Sequence, residues 1–293
     1  MISYDYYRIF YYVVQYKSFT KAAEILHNNQ PNITRCMNNL EAELGCSLFI
    51  RNHRGVTLTP IGEKLYEHVA AACSHLEAGE EAIQEENQLE SGMVSIGASE
   101  TALQLVLLDR LLHFRRQYPG IHIRITSHST PQALTALKNG LVDLAVVTTP
   151  IHIKKPLCST SLYDFREILI GGSDYEKEAT QKCSLADLAG YPLISLGNDT
   201  STWELYTEYY LKYNLPFHPD MEAATADQIL SMVKYNLGIG FYPENLALES
   251  IKRKDTYAFH LQEPCPNRKV CLVQNEALHM SKAARMLIHT LIP

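Results

Sequence analysis

The rhythm of hydrophobic and polar positions changes several times along the chain, and each change predicts an element. Tyr6, Ile9, Phe10, Val13 and Val14 recur at the three-to-four spacing of one helix face. Ser18 caps a second helix, Phe19–His27, with Ala22, Ala23 and Leu26 on its inner side. Asn29 caps a third, Gln30–Leu44. It tolerates Pro31 in its first turn and carries the stripe Ile33, Met37, Leu40 and Leu44. Gly45, free to turn left-handed, stops it. Leu48-Phe49-Ile50 and Val56-Thr57-Leu58 read as two short strands around the basic turn Arg51-Asn52-His53-Arg54-Gly55. Thr59-Pro60 is a cap followed by an N1 proline and opens a long helix to about Leu89. On that helix Leu65, Val69, Ala72, Leu76, Gly79 and Ile83 form a heptad seam. The seam is narrow and the other faces are polar, which favours a partner helix, and so a dimer, over a helix packed on its own domain.

Ser91-Gly92 breaks this pattern, and the chain then alternates strands with helices. The expected order is strand Met93–Ala98, helix Thr101–Arg116, strand Ile121–Thr126, helix Gln132–Asn139 and strand Val142–Val147. Strands Glu167–Ile170 and Leu193–Leu196, helix Thr202–Tyr213 and strand Met221–Ala223 follow. Thr225-x-x-Gln228 matches a capping box before helix Ile229–Tyr235, and Gly238–Tyr242 is a last short strand. Such alternation implies mostly parallel sheets covered on both faces.

Composition narrows the function classes. The 293 residues are 46% hydrophobic and 20% charged, as in ordinary globular domains. The greasiest stretch, Leu103–Leu112, is interrupted by Gln104, Asp109 and Arg110, so no membrane span is expected. The tyrosine-rich start, broken by Arg8, is unlike a secretory signal and makes cytoplasm the expected compartment. Seven cysteines without a CxxC or paired Cys/His spacing argue against a disulfide scaffold and a structural zinc. The net charge of −6 taken whole speaks against nucleic acid, but it is an average. Residues 1–62 carry six basic and four acidic side chains, whereas residues 63–91 carry one lysine and eight glutamates. The first region is modestly basic and the long helix strongly acidic.

Two helices joined by a very short link and followed by a basic hairpin make a winged helix-turn-helix, whose second helix enters the major groove with its N-terminal side chains. Those are Asn29, Gln30, Pro31, Asn32, Thr34 and Arg35. Asn and Gln suit adenine edges and Arg suits guanine. Arg51, His53 and Arg54 of the hairpin suit phosphate or minor-groove contacts. The blocks Ser18-Phe19-Thr20-x-Ala22-Ala23-x-x-Leu26, Gln30-Pro31-x-Ile33-Thr34-Arg35, Leu40-Glu41-x-x-Leu44-Gly45, Leu48-Phe49-x-Arg51 and Leu58-Thr59-x-x-Gly62 come in that order. Together they resemble the N-terminal signature of LysR-type transcriptional regulators. Tyr118-Pro119, Gly140-Leu141-Val142-Asp143-Leu144-Ala145, Ala186-Asp187-Leu188 and Val233-x-x-x-Leu237-Gly238-Ile239-Gly240 with Pro243 extend the likeness over the whole chain. Asn29 stands where that family usually has Ser and Asn32 where it often has Ala, which bears on operator preference.

The resemblance implies an α/β protein with three parts. These are a winged helix-turn-helix (1–58), a dimerising linker helix (59–90) and a two-lobed effector domain of the periplasmic-binding-protein type (91–293). Lobe I would hold residues 91–161 and 267–293, and lobe II residues 162–266. The implied partners are inverted-repeat promoter DNA, a small polar metabolite and further copies of the chain, as a dimer and beyond it a tetramer; no cofactor or metal is implied. In such a domain ligands bind between the lobes at the carboxyl ends of strands, where helix N-termini supply free N–H donors. Carried over to this chain, the effector contacts are Ser99, Thr101, His128, Ser129, Thr149 and Thr202. Each hydroxyl could equally be a helix cap that touches no ligand. An enzyme reading lacks support: no nucleophile elbow, Walker loop, HExxH or GxGxxG appears, and no catalytic residue is assigned. A redox-responsive regulator would need two approaching cysteines, for which Cys265 and Cys271, flanking Pro266, are the nearest pair.

Overall fold

The computed structural model describes residues 2–52, 55–85 and 92–292, with the backbone alone for residues 51, 52, 55, 77, 78 and 80–85. It divides into two compact units, residues 1–86 with 139–141, and residues 87–138 with 142–293.

In the first unit, helices α1 (Tyr4–Tyr16), α2 (Phe19–Ile25) and α3 (Gln30–Leu44) precede a hairpin of β1 (Phe49–Asn52) and β2 (Gly55–Leu58), and then helix α4 (Pro60–Glu85). The expected caps set these boundaries. Ser18 accepts from the Lys21 N–H and Asn29 accepts from the Asn32 N–H at 2.9 Å. Gly45 turns left-handed at φ 69°. Its N–H reaches Ala42 O, and the next N–H, of Cys46, reaches Glu41 O, which closes α3 with a Schellman pair. The α2 helix stops two residues short of His27, because His27 itself adopts a positive φ of 50°. A carboxylate oxygen of Glu41 accepts from the backbone N–H groups of Leu48 and Phe49 and ties α3 to the start of β1. Phe10, Val13, Ile33, Met37, Leu40 and Leu48 form the buried centre of this unit.

The α4 seam is divided. Val69 is buried and Leu65 half-buried against that centre, with Tyr66 and Cys73 beside them, while Ala72 and Leu76 are exposed. The first half of the predicted partner face is thus covered by the chain's own domain. The stretch 86–90 of the expected helix, together with His53 and Arg54 of the hairpin turn, lies outside the described residues.

The second unit begins with β3 (Gly92–Ala98) and a continuous helix 100–117 made of α5 (Glu100–Ala102), a π-turn (Leu103–Leu107) and α6 (Leu108–Gln117). Strand β4 (Ile121–Ser127), helix α7 (Thr130–Lys138), strand β5 (Leu144–Thr148) and the long strand β6 (Leu157–Gly171) follow. After a short α8 (Glu176–Ala179) and β7 (Lys182–Cys183) come β8 (Leu193–Leu196), α9 (Ser201–Lys212), β9 (Met221–Ala223), α10 (Ala226–Lys234), β10 (Ile239–Pro243) and α11 (Glu244–Lys252). The short β11 (Tyr257–Ala258) and β12 (His260–Leu261) lead to β13 (Asn267–Asn275) and the terminal helix α12 (Lys282–Leu291).

The sheet is mixed, not mostly parallel as the alternation suggested. Nine strands join in the order β4-β3-β5-β13-β6-β10-β8-β9, with β11 added beside β6. β3, β4 and β5 are mutually parallel, and so are β8, β9 and β10. Between the two sets β13 runs antiparallel to β5 and to β6, and β6 runs antiparallel to β10. Counting the reversals, the two parallel sets point in opposite directions. Their registers on β6 fix where they meet. Thr148, the last residue of β5, lies level with Val270 and through it with Tyr163, whereas Pro243, the last residue of β10, lies level with Glu167. Four residues of extended chain, about 13 Å, therefore separate the carboxyl ends of the two sets, which face each other across that gap. The first half of β6 was not predicted because residues 157–164 are mostly exposed or half-buried and polar, with no apolar run to mark a strand.

Candidate functional site

The α3 N-terminus presents a polar face. Asn29, Gln30, Pro31 and Arg35 are exposed, and Asn32 and Thr34 are half-buried. These side chains are held in two chains of hydrogen bonds. Gln30 Nε2 donates to Thr34 Oγ1 at 3.2 Å, and Thr34 Oγ1 donates back to Gln30 O. Arg35 Nη2 donates to Asn32 Oδ1 at 2.9 Å, and Asn32 Nδ2 donates to Asn28 Oδ1 at 3.0 Å. Asn28 is a participant that sequence reasoning missed, since it precedes the cap. The i,i+4 spacing from Asn28 to Asn32 is the signal that could have found it. Arg51 lies in the first strand of the hairpin, one residue before its end and opposite Val56.

In the second unit the facing strand ends enclose a cleft of about 480 Å³. Of the six carried-over residues, Ser99, Thr101, His128, Ser129 and Thr202 line it. Thr149 does not. Its hydroxyl accepts from the Lys269 N–H at 3.0 Å, closing the end of the β5–β13 ladder, and its neighbour Thr148 lines the cleft instead. The N-cap hydroxyls divide into used and unused. Thr200 accepts from the Trp203 N–H at 3.2 Å and so caps α9. Ser99, Ser129 and Thr225 make no side-chain cap bond, and the Ser99 and Ser129 hydroxyls have no hydrogen-bond partner. The predicted capping box at Thr225 is not formed: Gln228 Oε1 accepts instead from the N–H of Ala224, the residue before the cap, at 2.9 Å. Burial holds the His128 imidazole below its ordinary pKa, so it is neutral near pH 7.

The cleft floor is an ion pair that sequence reasoning did not single out. Arg268 and Glu167 are 4% and 2% exposed and bond through Nη1 and Oε1 at 2.8 Å. Arg268 Nη2 also donates to Thr148 Oγ1 at 2.7 Å and to Thr202 Oγ1 at 3.1 Å, and its Nε donates to Thr149 O at 2.7 Å. One guanidinium thus joins β13, β5, β6 and α9 at the crossing point. Burial raises the Glu167 pKa, an effect that Arg268 partly offsets. Its second oxygen, Oε2, has no well-aligned partner, and the nearby Tyr206 hydroxyl only eases the burial penalty. No long run of like residues marks this pair in the sequence; it is created by the register between β6 and β13.

The cysteines do not form a poised pair. Burial pushes the thiols of Cys158, Cys183, Cys265 and Cys271 above their ordinary pKa, which disfavours the reactive thiolate. Cys271 is the fifth residue of an extended strand that begins two residues after Cys265. The intervening chain holds them well beyond the roughly 7 Å between Cα atoms that a disulfide tolerates.

Comparison with known proteins agrees with this geometry. Residues 4–63 match the profile of the bacterial regulatory helix-turn-helix protein, lysR family, and residues 87–292 match that of the LysR substrate binding domain. The chain belongs to the LysR family of transcriptional regulators. It is 25% identical over 284 residues to the HTH-type transcriptional regulator YofA of Bacillus velezensis, covering 97% of this chain and 96% of that one. It is 26% identical over 286 residues to a probable RuBisCO transcriptional regulator of Gracilaria tenuistipitata var. liui, covering 96% and 92%. Among solved structures, full-length CbnR complexed with its target DNA superposes with a TM-score of 0.71 at 16% identity, over 99% of this chain and 98% of that one. This LysR-type protein thus combines a helix-turn-helix DNA-binding domain with an effector-binding substrate domain. The family consists of transcriptional regulators, which are not in general enzymes. Among the described residues no helix is long and apolar enough to cross a membrane.

Proposed function

We propose that this LysR-type regulator reads an inverted-repeat promoter site through the α3 N-terminus. Gln30 and Arg35 would address base edges, Asn29, Pro31, Asn32 and Thr34 would shape the contact face, and Arg51, His53 and Arg54 would grip the backbone. A small polar metabolite between the lobes then sets its activity, contacting Ser99, Thr101, His128, Ser129 and Thr202. The supporting observation is the division of polar groups. Elsewhere hydroxyl and amide side chains are spent on caps, turns and contacts between elements, as Ser18, Ser95 and Ser281 are, although the Ser195 hydroxyl of β8 is also without a partner. At α3 they stand exposed in an ordered array, and at the cleft Ser99 and Ser129 are left without partners. Self-association would use the exposed stretch of α4 around Ala72 and Leu76, and the protein would act in the cytoplasm.

Binding of the purified full chain to genomic promoter fragments, against random DNA and over a salt series, tests the reader. Specific binding should weaken steeply as salt rises. Arg35→Ala and Gln30→Ala should relax sequence preference, whereas Arg54→Ala should weaken all fragments alike. Equal affinity for every fragment refutes the assignment. The physical state of the thiols favours metabolite control over redox control, and an unchanged DNA affinity on peroxide treatment is the expected result.

A further inference from the structure

The cleft's charges are unusual for a site that takes a simple anion. Four carboxylates line it: Glu100, Glu167, Asp199 and Glu222. The single arginine or lysine lining it is Arg268, and that guanidinium is already committed to Glu167, two threonine hydroxyls and a backbone carbonyl. Glu100, Asp199 and Glu222 appear in none of the ion pairs among the described residues. Asp199 and Glu222 converge on one small space. A Cβ placed on Gly197 would lie 3.1 Å from Asp199 Oδ1 and 3.4 Å from Glu222 Oε2. The buried Glu167 lines the same cleft, and its Oε2 is an acceptor without a well-aligned donor. Asp199 and Glu222, exposed at the cleft and outside the ion pairs among the described residues, favour a cation there.

The same cleft also has the features that hold a carboxylate. The helix 100–117, α7 and α10 all begin at it, and the Ser99 and Ser129 hydroxyls stand partnerless beside the first two. Each terminus favours an anion by about 0.3–1 kcal/mol. Glu100, at the first of them, does not fill this place, because it is turned along its own helix, where its Oε1 accepts from Gln104 Nε2 at 2.7 Å. A dianion would satisfy the helix ends but add its charge to the unneutralised carboxylates. A plain amine would satisfy the carboxylates and leave the hydroxyls and helix ends unused.

We infer that the effector is an amino acid, bound as a zwitterion, with its ammonium drawn to the Glu167, Asp199 and Glu222 carboxylates and its carboxylate to the Ser99 and Ser129 hydroxyls and their helix N-termini. This inference rests on the reading of the cleft as the effector site and narrows it to one ligand class. Calorimetry and thermal melting of the full chain with the twenty common amino acids test it. Each binder is to be compared with its 2-hydroxy-acid and decarboxylated-amine counterparts. At a hundredfold excess over Kd, an effector should raise the Tm by roughly 5–10 °C. Both counterparts should bind at least tenfold more weakly, and so should the amino acid to the double variant Asp199→Asn, Glu222→Gln. Ser129→Ala, at a site that needs no refolding, should weaken the amino acid but not the amine. A hydroxy acid or dicarboxylate that binds as well as the amino acid overturns the ligand class and leaves the cleft as the site. An amino acid that binds all the variants like the parent overturns the cleft itself. Failure of all twenty to bind overturns the inference.

Discussion

Replacing Arg268 by Met is the most informative single perturbation of the second unit. Met keeps the length and apolar stem of the side chain but removes its four donated hydrogen bonds. Thr148, Thr149 and Thr202 can turn to water entering the cleft. Glu167, 2% exposed, loses its only charged partner. Breaking a buried ion pair from one side costs about 3–5 kcal/mol. The carboxylate has one escape, which is to take a proton. From its ordinary value of 4.5, each unit of pH above that value costs about 1.4 kcal/mol, which is roughly 3.5 kcal/mol at pH 7. The two estimates agree, so the expected loss at neutral pH is about 3–4 kcal/mol.

The protonation route also fixes the sign of the pH dependence. In the variant the folded-state pKa of Glu167 rises further above the unfolded value. Stability is then retained below about pH 4.5 and lost as pH climbs, by about 1.4 kcal/mol per unit until the folded pKa is passed. The chain's single tryptophan, Trp203, lies in α9 next to the Thr202 that Arg268 holds, so its fluorescence in a urea titration reports this unit. The deficit should be smaller at pH 5.5 than at pH 7.5, by at most about 2–3 kcal/mol because the parent's own Glu167 pKa is already raised. Adding Glu167→Met should recover most of the stability, since an apolar pair of similar volume leaves no stranded charge. A loss below about 1 kcal/mol, a deficit equal at both pH values, or a double variant as unstable as the single one would refute the role given to this pair.

Three further outcomes are expected. Asn29→Ala removes the α3 cap and should cost about 1 kcal/mol in a thermal melt of the first unit, while Asn29→Ser should restore it; equal melts for all three would show that the cap carries no weight. Gly62→Ala would place a Cβ 2.3 Å from the backbone carbonyl of Leu48. The hairpin must shift, at a cost of about 1–3 kcal/mol, read as faster proteolysis of the first unit and weaker DNA binding. Burial depresses the His128 pKa, so the unfolded chain takes that proton first. Stability should fall as pH drops through about 6.5 and level off below the folded value. His128→Gln should flatten that slope in denaturant titrations between pH 7.5 and 5.

What was legible in the sequence follows from how local each determinant is. The first unit is built from caps, turns and short-range periodicity, so Ser18, Asn29, Gly45 and the Thr59-Pro60 pair placed its helices to within a residue or two. The positions lining the cleft were legible almost as well, because Ser99, Ser129 and Thr202 sit where a strand ends and a helix begins, and such junctions leave a local mark. The heptad on α4 was read as a partner face, whereas its Leu65 and Val69 pack into the first unit's own core, with α1 against α4, a contact that periodicity does not reveal. The first half of strand β6 and the Glu167–Arg268 pair were not legible. Both depend on pairing between segments about a hundred residues apart, and a charge buried by such pairing looks in the sequence like any surface charge. That blind spot falls on the residues that give the cleft its character. Arg268 is the one arginine or lysine among the residues lining the cleft, and its donors are already engaged. The carboxylates that remain are what turn the expectation of a small polar metabolite into that of a zwitterion.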